Sequence, residues 1–482
     1  MHTEQKLNMT MLCDFYELTM GNGYFQTGLR NRITYFDVFF RDVPDKGGFA
    51  ICAGLDQLID YILDLHFDEE DIAYLRGRNL FSEEFLDYLR DFRFTGDIWA
   101  IPEGTPIFPQ EPVITVRAPA IQAQLIETFT LLAINHQSLI ATKANRIVRA
   151  AQGRTVLEFG SRRAQGTDGA ISGARAAYIG GCAGTACTIS DQLYGVPAGG
   201  TMAHAWVQMF DSQYDAFEAY CKLYPHNATL LVDTYNTLRS GVPDAIRAFD
   251  AVLKPLGIQT CGIRLDSGDI AYLTQKARKM LDDAGWTGCR ISASNSLDEY
   301  IIRDLLIQGA QIDLFGVGER MITASSQPVF GGVYKLVAVE DGTGTVIPKI
   351  KVSENVDKIT NPHYKKVYRI FDKSTGKAEA DYITIWDEMV DETQSLELFD
   401  PRATWKRKTY TDFTVKPLQQ RIFQGGKLVY RRPSLQETQA YCKEQVETLW
   451  DEVKRFENPH TYYVDLSQRL WDVKQALLRE SK

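Results

Sequence analysis

The chain has 482 residues, of which 44% are hydrophobic, so it can fill more than one hydrophobic core, and we expect two domains. Its 53 basic and 62 acidic residues give a net charge of −9 and a pI near 5.5, which argues against nucleic acid as a partner. No apolar run is long enough to span a bilayer, and the first residues lack the apolar core of a signal peptide. We therefore expect a cytoplasmic protein without membrane contact.

The first 120 residues mix helical and strand patterns. Residues 35–40 and 98–117 are predicted strands, the second a β-meander interrupted by proline and glycine turns. From residue 121 to residue 151, apolar residues recur at helical spacing without an internal glycine or proline. This predicts one long helix that leads into a second domain.

From residue 154 to about residue 338, short β-branched runs alternate with amphipathic segments. This alternation is typical of parallel strands joined by crossover helices, and both an open sheet and a closed barrel fit it. The predicted strands are residues 155–159, 229–233, 259–265, 290–294 and 312–317, and the predicted helices include residues 242–256, 270–284 and 297–308.

The last part of the chain is different again. After Tyr334 the pattern is rich in β-strands until about Tyr430. Residues 434–457 and 466–479 then show helical periodicity, which predicts two closing helices.

The eight cysteines and seven histidines are scattered along the chain. The cysteines do not form the paired, closely spaced motifs of a zinc knuckle, and there is no H-E-x-x-H segment. We expect reduced cysteines in the core and no transition metal held by the protein.

Each predicted strand of the alternating region ends in charged, hydroxyl or glycine residues. In parallel α/β folds, ligands bind beyond the carboxyl ends of the strands. Arginines, carboxylates and glycine turns on one face suit an anionic ligand with several hydroxyl groups, such as a sugar phosphate. The strand ends are EFGSRR at 158–163, DTYN at 233–236, RLDSGD at 264–269, SASN at 292–295 and GVGER at 316–320.

Several of these residues also have a purely structural explanation. Arg264 and Asp266 can be an ion pair at the rim of a barrel. Asp233 can cap the helix that follows it, and Glu158 can pair with a neighbouring arginine. From residue type and spacing alone, the structural and functional explanations both remain open.

The same holds for three further segments. His204 can be an ordinary histidine with satisfied hydrogen bonds, and the glycine turn at 316–318 resembles turns that end many strands. Residues 14–20 have the pattern of an ordinary amphipathic helix. No single motif decides the function.

Five segments taken together indicate the function, because their sequences and their order closely resemble those of the nicotinate phosphoribosyltransferase family. These are type II phosphoribosyltransferases, a group that also includes the nicotinamide-using enzyme. The resemblance extends from Asp14 to about Leu336. The segments are DFYELTM at 14–20, EFGSRRAQG at 158–166, GTMAHAW at 200–206, RLDSGD at 264–269 and GGVYKL at 331–336.

The resemblance implies an irregular α/β barrel and an α+β domain assembled from both chain ends. The barrel would occupy residues 121–339, the α+β domain residues 1–120 and 340–430, and C-terminal helices residues 431–482. It also implies a homodimer whose active sites lie at the subunit interface. The implied reaction transfers phosphoribose from phosphoribosyl pyrophosphate to nicotinate, coupled to ATP hydrolysis, and serves NAD salvage.

The same resemblance implies a site for the nicotinate ring. The pyridine ring would lie between Phe159 of one subunit and Tyr16 of the partner subunit. Arg264 and Thr201 would bind the carboxylate, since a guanidinium fork matches two oxygens.

It implies a second site for phosphoribosyl pyrophosphate. Arg162 and Mg²⁺ would bind the pyrophosphate, Asp266 the ribose hydroxyls, and the amides of Gly316 and Gly318 the 5'-phosphate. Asp14 would also contribute to this site.

The resemblance further implies that ATP phosphorylates His204 during turnover, with Asp233 as the carboxylate that orients the imidazole. The implied catalytic residues are therefore His204, Asp233 and Asp266.

Three rival functions remain at this stage. The nicotinamide-using relative carries an acidic residue in a Gly-Thr-Asp motif, whereas this chain has Ala186 at that position, which favours the acid substrate. A type I phosphoribosyltransferase would have two adjacent acidic residues where residues 230–237 offer only Asp233. A non-catalytic binding protein on the same scaffold would be expected to lack His204 or the site arginines, and all are present.

Overall fold

The computed structural model describes residues 8–355 and 358–480. It divides into two compact units, the first Met1–Leu139 with Val329–Lys482 and the second Ile140–Pro328. Both units combine helices and strands, so the predicted α/β class is confirmed. The second unit is shorter than the predicted barrel of residues 121–339, and the predicted C-terminal helices at 431–482 belong to the first unit.

The N-terminal segment of the first unit contains five strands and the helices around them. The helix α6 continues past residue 139 into the second unit. In chain order the elements are α1 (Phe15–Gln26), β1 (Ile33–Phe39), β2 (Ala50–Ile51), α2 (Leu55–Asp64), α3 (Glu69–Gly77), α4 (Glu83–Arg90), β3 (Asp97–Ala100), β4 (Pro106–Ile107), β5 (Ile114–Pro119), α5 (Ala120–Gln124) and α6 (Glu127–Ala150).

The second unit alternates strands and helices, as predicted. Its elements are β6 (Thr155–Glu158), α7 (Gly166–Ile179), β7 (Gly184–Thr185), α8 (Thr188–Tyr194), α9 (His204–Gln208), α10 (Gln213–Leu223), β8 (Thr229–Leu231), α11 (Val242–Ala248), β9 (Gly262–Leu265), α12 (Ile270–Asp283), β10 (Arg290–Ser294), α13 (Glu299–Ile307), β11 (Leu314–Val317) and α14 (Glu319–Ile322).

The strands of the second unit form one six-stranded sheet in the order β7-β6-β11-β10-β9-β8. Every pairing is parallel. The last strand, β11, lies beside the first, β6, as in a closed α/β barrel, whereas β7 and β8 are the two edges of the sheet. The sheet thus has the strand order of a barrel that is open between β7 and β8.

Apolar side chains explain why these strands form. The strands β8 to β11 are short and mostly buried on both faces, which is typical of parallel sheets covered by helices. The side chains of β8, β9 and β10 share one core with helices α10 to α12. Its members include Phe217, Leu230, Phe249, Ile263, Leu281 and Ile291.

The C-terminal segment of the first unit is rich in β-strands until residue 428 and then contains two helices with a further strand between them. Its elements are β12 (Val333–Glu340), β13 (Val346–Pro348), β14 (Lys365–Asp372), β15 (Ala378–Ile385), β16 (Leu396–Asp400), β17 (Ala403–Tyr410), β18 (Phe413–Pro417), β19 (Gln420–Gln424), β20 (Lys427–Leu428), α15 (Leu435–Glu447), β21 (Tyr463–Leu466) and α16 (Gln468–Glu480).

Both chain segments of the first unit contribute to its main sheet. This seven-stranded sheet has the order β13-β12-β1-β5-β3-β19-β20, and a four-stranded sheet has the order β18-β14-β15-β21. The first unit is therefore assembled from both ends of the chain, as the resemblance implies.

Three predicted helices differ from the structure. The predicted helix 121–151 is interrupted at residues 125–126, where apolar spacing continues and gives no sign of a break. The predicted helix 242–256 becomes a π-turn and then a 3₁₀ turn after Ala248. The predicted helix 434–457 ends at Glu447 and is followed by turns. None of the helices in the described part of the chain has the length and apolarity to cross a membrane.

Candidate active site

The parallel sheet of the second unit brings most of the predicted site residues to the carboxyl ends of its strands. Residues Ser294 and Gly316 are paired neighbours, and Val317 pairs with Glu158. Because parallel strands end at the same edge, the segments after β6, β8, β9, β10 and β11 lie together. Nine of the eleven predicted site residues lie on these strand ends or on residues 200–204.

Phe159 follows β6 and packs against the predicted glycine turn. Its amide donates to the Val317 carbonyl at 2.7 Å. A Cβ atom on Gly316 would lie 2.4 Å from the Phe159 ring, and one on Gly318 would lie 3.0 Å from the Phe159 carbonyl oxygen. Close packing of the Phe159 ring therefore requires glycine at position 316, while a Cβ atom at position 318 would make a tight contact.

Arg264 lies on β9 and binds the loop that precedes α9. Its Nη1 donates to the Thr201 hydroxyl at 2.9 Å and its Nη2 to the Met202 carbonyl at 3.1 Å. Its Nε is buried and has no hydrogen-bond partner. Burial lowers the pKa of Arg264, while the nearby carboxylates of Asp266 and Asp233 oppose that shift. The guanidinium thus forms no ion pair with a described residue, and the proposed structural pair with Asp266 is absent.

Asp233 and Asp266 are linked to each other and to neighbouring strand ends. The Oδ2 of Asp233 accepts the Asp266 amide at 2.8 Å and the Ser267 hydroxyl at 2.6 Å. Asp266 accepts a hydrogen bond from the Ser294 hydroxyl. The Oδ1 of Asp233 is buried and without a partner. Asp233 does not cap the following helical turn, whose cap is the side chain of Asn236.

His204 is the first residue of α9, and its ring partner differs from the predicted one. Its Nδ1 lies 3.0 Å from the Thr234 hydroxyl oxygen. Asp233 does not bond the ring, because its carboxylate is directed to the amide and hydroxyl of the next strand end. Thr234 is therefore the residue that orients the His204 ring.

Arg162 lies on an exposed 3₁₀ turn after Phe159. Its positive charge acts on Arg264 and lowers the pKa of that guanidinium. Two arginines and two carboxylates, Asp233 and Asp266, therefore meet at this edge, with Arg162 open to solvent and Arg264 partly buried. Such a site suits a ligand with several negative charges.

Glu158 is fully buried at the end of β6. Its carboxylate accepts the Gly160 amide and, at 2.6 Å, the Thr185 hydroxyl. The proposed pairing of Glu158 with a neighbouring arginine is absent. Burial raises the pKa of this carboxyl group.

Asp14 and Tyr16 belong to the first unit, at the start of α1. The Asp14 amide donates to the Thr128 hydroxyl at 3.1 Å. Tyr16 is 44% exposed, and burial together with Glu127 raises the pKa of its hydroxyl. An exposed aromatic side chain of this kind is available to another molecule.

Metal-ligating side chains do not converge anywhere in residues 8–355 and 358–480 in groups of three or more. The unpartnered Asp233 Oδ1 is a hard oxygen ligand of the kind Mg²⁺ prefers. A magnesium ion with most of its ligands from a bound pyrophosphate fits one such carboxylate.

Three residues that shape this site are not singled out by any motif in the sequence, namely Thr234, Ser267 and Ser294. All three lie in the strand-end segments that the sequence marks as polar. Their hydroxyl partners lie 28 to 34 residues away along the chain, and no local pattern predicts such pairs.

Comparison with known proteins identifies the group to which the chain belongs. Residues 11–135 match the N-terminal domain of nicotinate phosphoribosyltransferase (NAPRTase), and residues 364–474 match its C-terminal domain. The nicotinate phosphoribosyltransferase of Bacillus subtilis (strain 168) is 43% identical over 477 residues, which cover 98% of this chain and 96% of that protein. The chain belongs to the nicotinate phosphoribosyltransferase family.

More distant relatives agree. The nicotinate phosphoribosyltransferase of Dictyostelium discoideum is 32% identical over 98% of this chain and 88% of its own length. The crystal structure of human nicotinic acid phosphoribosyltransferase matches with a TM-score of 0.85 and 28% identity, over 96% of this chain and 99% of that one. The nicotinate-nucleotide pyrophosphorylase of Pyrococcus furiosus, with a TM-score of 0.70 and 23% identity over 93% of this chain and 97% of that one, shows the shared fold. The resemblance seen in the sequence is therefore confirmed.

Proposed function

We propose that the protein transfers phosphoribose from phosphoribosyl pyrophosphate to nicotinate, with ATP hydrolysis driving the step. The observation that carries this proposal, beyond family membership, is Arg264. Its guanidinium reaches the site edge without a carboxylate partner, and its Nε has no hydrogen bond. An anionic ligand of the right size would complete it.

The nicotinate carboxylate is our candidate for that anion. Arg264 would bind it with a guanidinium nitrogen, and the Thr201 hydroxyl, already 2.9 Å from Arg264, lies beside the same position. Phe159, held against Gly316, presents a ring for stacking on the pyridine.

Phosphoribosyl pyrophosphate would bind next to it. The exposed Arg162 would bind the pyrophosphate, and the Asp266 carboxylate the ribose hydroxyls. The amide of Gly318 would bind the 5'-phosphate, whereas Gly316 lies inside β11, which pairs with β10 and β6 on its two sides. The pyridine nitrogen then attacks the ribose C1', and the bond from C1' to the pyrophosphate oxygen breaks. Pyrophosphate leaves with the electron pair, and the product is nicotinate mononucleotide.

Magnesium would be held by the pyrophosphate oxygens and by Asp233, whose Oδ1 has no other partner. When bound, it would neutralise charge on the departing pyrophosphate. In this arrangement Asp233 also fixes the Asp266 amide at 2.8 Å, so that the ribose-binding carboxylate keeps its position.

We further propose that ATP phosphorylates His204. If Nδ1 carries the proton and donates it to Thr234, the Nε2 lone pair is free to attack the γ-phosphorus. The phosphorus–oxygen bond to ADP breaks, and later hydrolysis of the phosphohistidine releases phosphate. Alternation between the two forms of His204 would couple ATP to tight substrate binding and product release.

A homodimer with shared sites would supply the second aromatic face. The exposed Tyr16 at the start of α1 is our candidate for the residue that enters the partner's site. We place the reaction in the cytoplasm, because all eight cysteines are free thiols and seven of them are buried.

Nicotinamide is the rival substrate. Ala186 follows β7 and is neutral, so it does not repel a carboxylate, whereas an acidic side chain there would. We therefore propose nicotinate as the preferred base.

The direct test is a matched assay of nicotinate, nicotinamide and quinolinate with phosphoribosyl pyrophosphate, each with and without ATP. We expect turnover of nicotinate above both other bases and stimulation by ATP. Equal turnover of nicotinate and nicotinamide would refute the assignment.

Labelled ATP tests the role of His204 separately. An acid-labile, base-stable phosphoryl group should appear on the wild-type protein and be absent from His204→Ala, which should lose the ATP effect first. Thr234→Val should slow the labelling, because it removes the partner of Nδ1. Full labelling of His204→Ala would contradict this role.

A further inference from the structure

The buried carboxylate of Glu158 connects two parts of the site edge that the chain does not join directly. One oxygen accepts the Gly160 amide, in the turn that carries Phe159. The other accepts the Thr185 hydroxyl at 2.6 Å, on the edge strand β7. Glu158 and Thr185 are also paired neighbours in the sheet, and both are fully buried.

Thr185 extends this connection toward the carboxylate-binding loop. Its amide donates to the Pro197 carbonyl at 3.0 Å, and its carbonyl accepts the Gly199 amide at 2.8 Å. Residues 197–199 lead directly to Thr201, which contacts Arg264. The path from Glu158 through Thr185 therefore links the stacking residue Phe159 with the residues that would bind the nicotinate carboxylate.

A carboxylate suits this place better than any other side chain of its size. The amide of Gly160 can only donate, and the Thr185 hydroxyl donates to Glu158 because it already accepts the Cys187 amide at 2.9 Å. Two donors require two acceptor oxygens. Glutamine would offer one oxygen and one NH₂ group, so one buried donor would face another donor.

The energetic setting argues against a role in stability alone. Glu158 has no ion-pair partner among the described residues, and a buried carboxyl group without a cation is costly compared with an apolar side chain. A group kept under these conditions, next to the site, points to a requirement for geometry.

We infer that Glu158 is a positioning residue for nicotinate, which fixes the distance between the stacking ring of Phe159 and the Thr201 loop across the edge strand β7. Glu158 does not touch the substrate. This inference rests on the proposed function, since it assigns the residue to the base-binding half of that site.

Glu158→Gln and Thr185→Val test the inference from the two ends of the same bridge. Each should raise the KM for nicotinate roughly tenfold, because loss of one buried hydrogen bond of this kind displaces the bound groups. The KM for phosphoribosyl pyrophosphate and the labelling of His204 should stay within about twofold of the wild-type values. Thr185→Ser keeps the hydroxyl and should restore the KM for nicotinate.

The matched control is Thr115→Val in the first unit. The Thr115 hydroxyl donates to the buried Asp37 carboxylate at 2.7 Å, so this variant also loses a buried bond between a threonine and a carboxylate. It should lower Tm without changing the KM for nicotinate.

Three results would count against the inference. If Thr185→Val lowers Tm as Thr115→Val does but leaves the KM for nicotinate unchanged, the bridge is structural only. If the KM values for both substrates rise equally, Glu158 does not act on the base. If the wild-type protein does not turn over nicotinate, the proposed function fails, and this inference fails with it.

Discussion

Two arginines, one on a strand of each unit, differ in whether the guanidinium binds a carboxylate. Arg369, on β14 of the first unit, is fully buried and binds the Asp381 carboxylate through two nitrogens, at 2.8 and 2.6 Å. Arg264, on β9 of the second unit, binds a hydroxyl and a carbonyl group but no carboxylate. Each guanidinium leaves one buried nitrogen without a partner.

The electrostatics of the two side chains differ accordingly. The Asp381 carboxylate raises the pKa of Arg369 against the effect of burial, whereas burial lowers the pKa of Arg264. A buried arginine with a carboxylate partner holds the protein together, and a partly buried one without a partner is ready for an anionic ligand. Arg369 therefore belongs to the scaffold of the first unit, and Arg264 has the contacts expected of a residue that binds an anion.

The largest effect on stability is expected when the ion pair between Arg369 and Asp381 is broken. Arg369→Met should lower the free energy of unfolding by about 3 to 5 kcal/mol, because it leaves Asp381 buried without its cation. Denaturant unfolding measures this change. The control Arg407→Met removes an exposed ion pair with Glu397 and should change stability by less than about 1 kcal/mol. Equal effects of the two variants would contradict the distinction.

Replacement of Arg264 should impair catalysis and leave stability intact. Arg264→Met should lower kcat/KM for nicotinate by a factor that corresponds to a loss of about 2 to 5 kcal/mol of transition-state stabilisation. Its Tm should stay unchanged or rise. Steady-state kinetics and thermal unfolding together check this. The control Arg290→Met, an exposed arginine at the opposite end of the neighbouring strand β10, should change neither quantity. A large loss of stability in Arg264→Met would show that Arg264 is part of the scaffold.

A buried carboxyl group in the first unit extends the comparison to pH. Glu17 is fully buried and accepts bonds from Thr128, and burial raises its pKa from 4.5 to about 7. The neutral form therefore contributes stability that is complete below pH 4.5 and is lost as the pH rises through 7.

Replacement by glutamine should remove this dependence. Between pH 5 and pH 8 the wild-type protein should lose about 1 to 3 kcal/mol of stability relative to Glu17→Gln. Thermal unfolding across this range measures the difference. The control Glu83→Gln, at an exposed glutamate paired with Arg76, should show no such change, since its pKa is lowered and it is ionised throughout. Parallel pH profiles of the wild type and Glu17→Gln would contradict the assignment.

The fold could be predicted from the sequence where local pattern and burial agree. The predicted bounds of β10 are the observed ones and those of β6 are within one residue, because both are short, largely buried segments between helical patterns. The interruption of the long helix at residues 125–126 could not be predicted, since apolar spacing continues through it.

The site could be predicted only in part. The polar strand ends predict a cluster of side chains at the carboxyl ends of the strands, and the resemblance names Arg264 and Thr201, which the structure brings within hydrogen-bond distance. The prediction that Asp233 is the partner of the His204 ring is wrong, because Thr234 contacts the ring in the structure. Which of these adjacent side chains faces the ring depends on the backbone after β8, and the sequence does not show it. The sequence also does not show that Arg264, unlike Arg369, binds no carboxylate.

We propose that Arg264 binds the carboxylate of nicotinate, and the ratio of kcat/KM for nicotinate to that for nicotinamide tests this role most directly. The wild-type ratio should strongly favour nicotinate. In Arg264→Met the ratio should fall towards one, because only the acid loses its charged partner while nicotinamide keeps the same stacking and phosphoribosyl contacts. An equal loss for both bases, with the wild-type ratio preserved, would contradict the account.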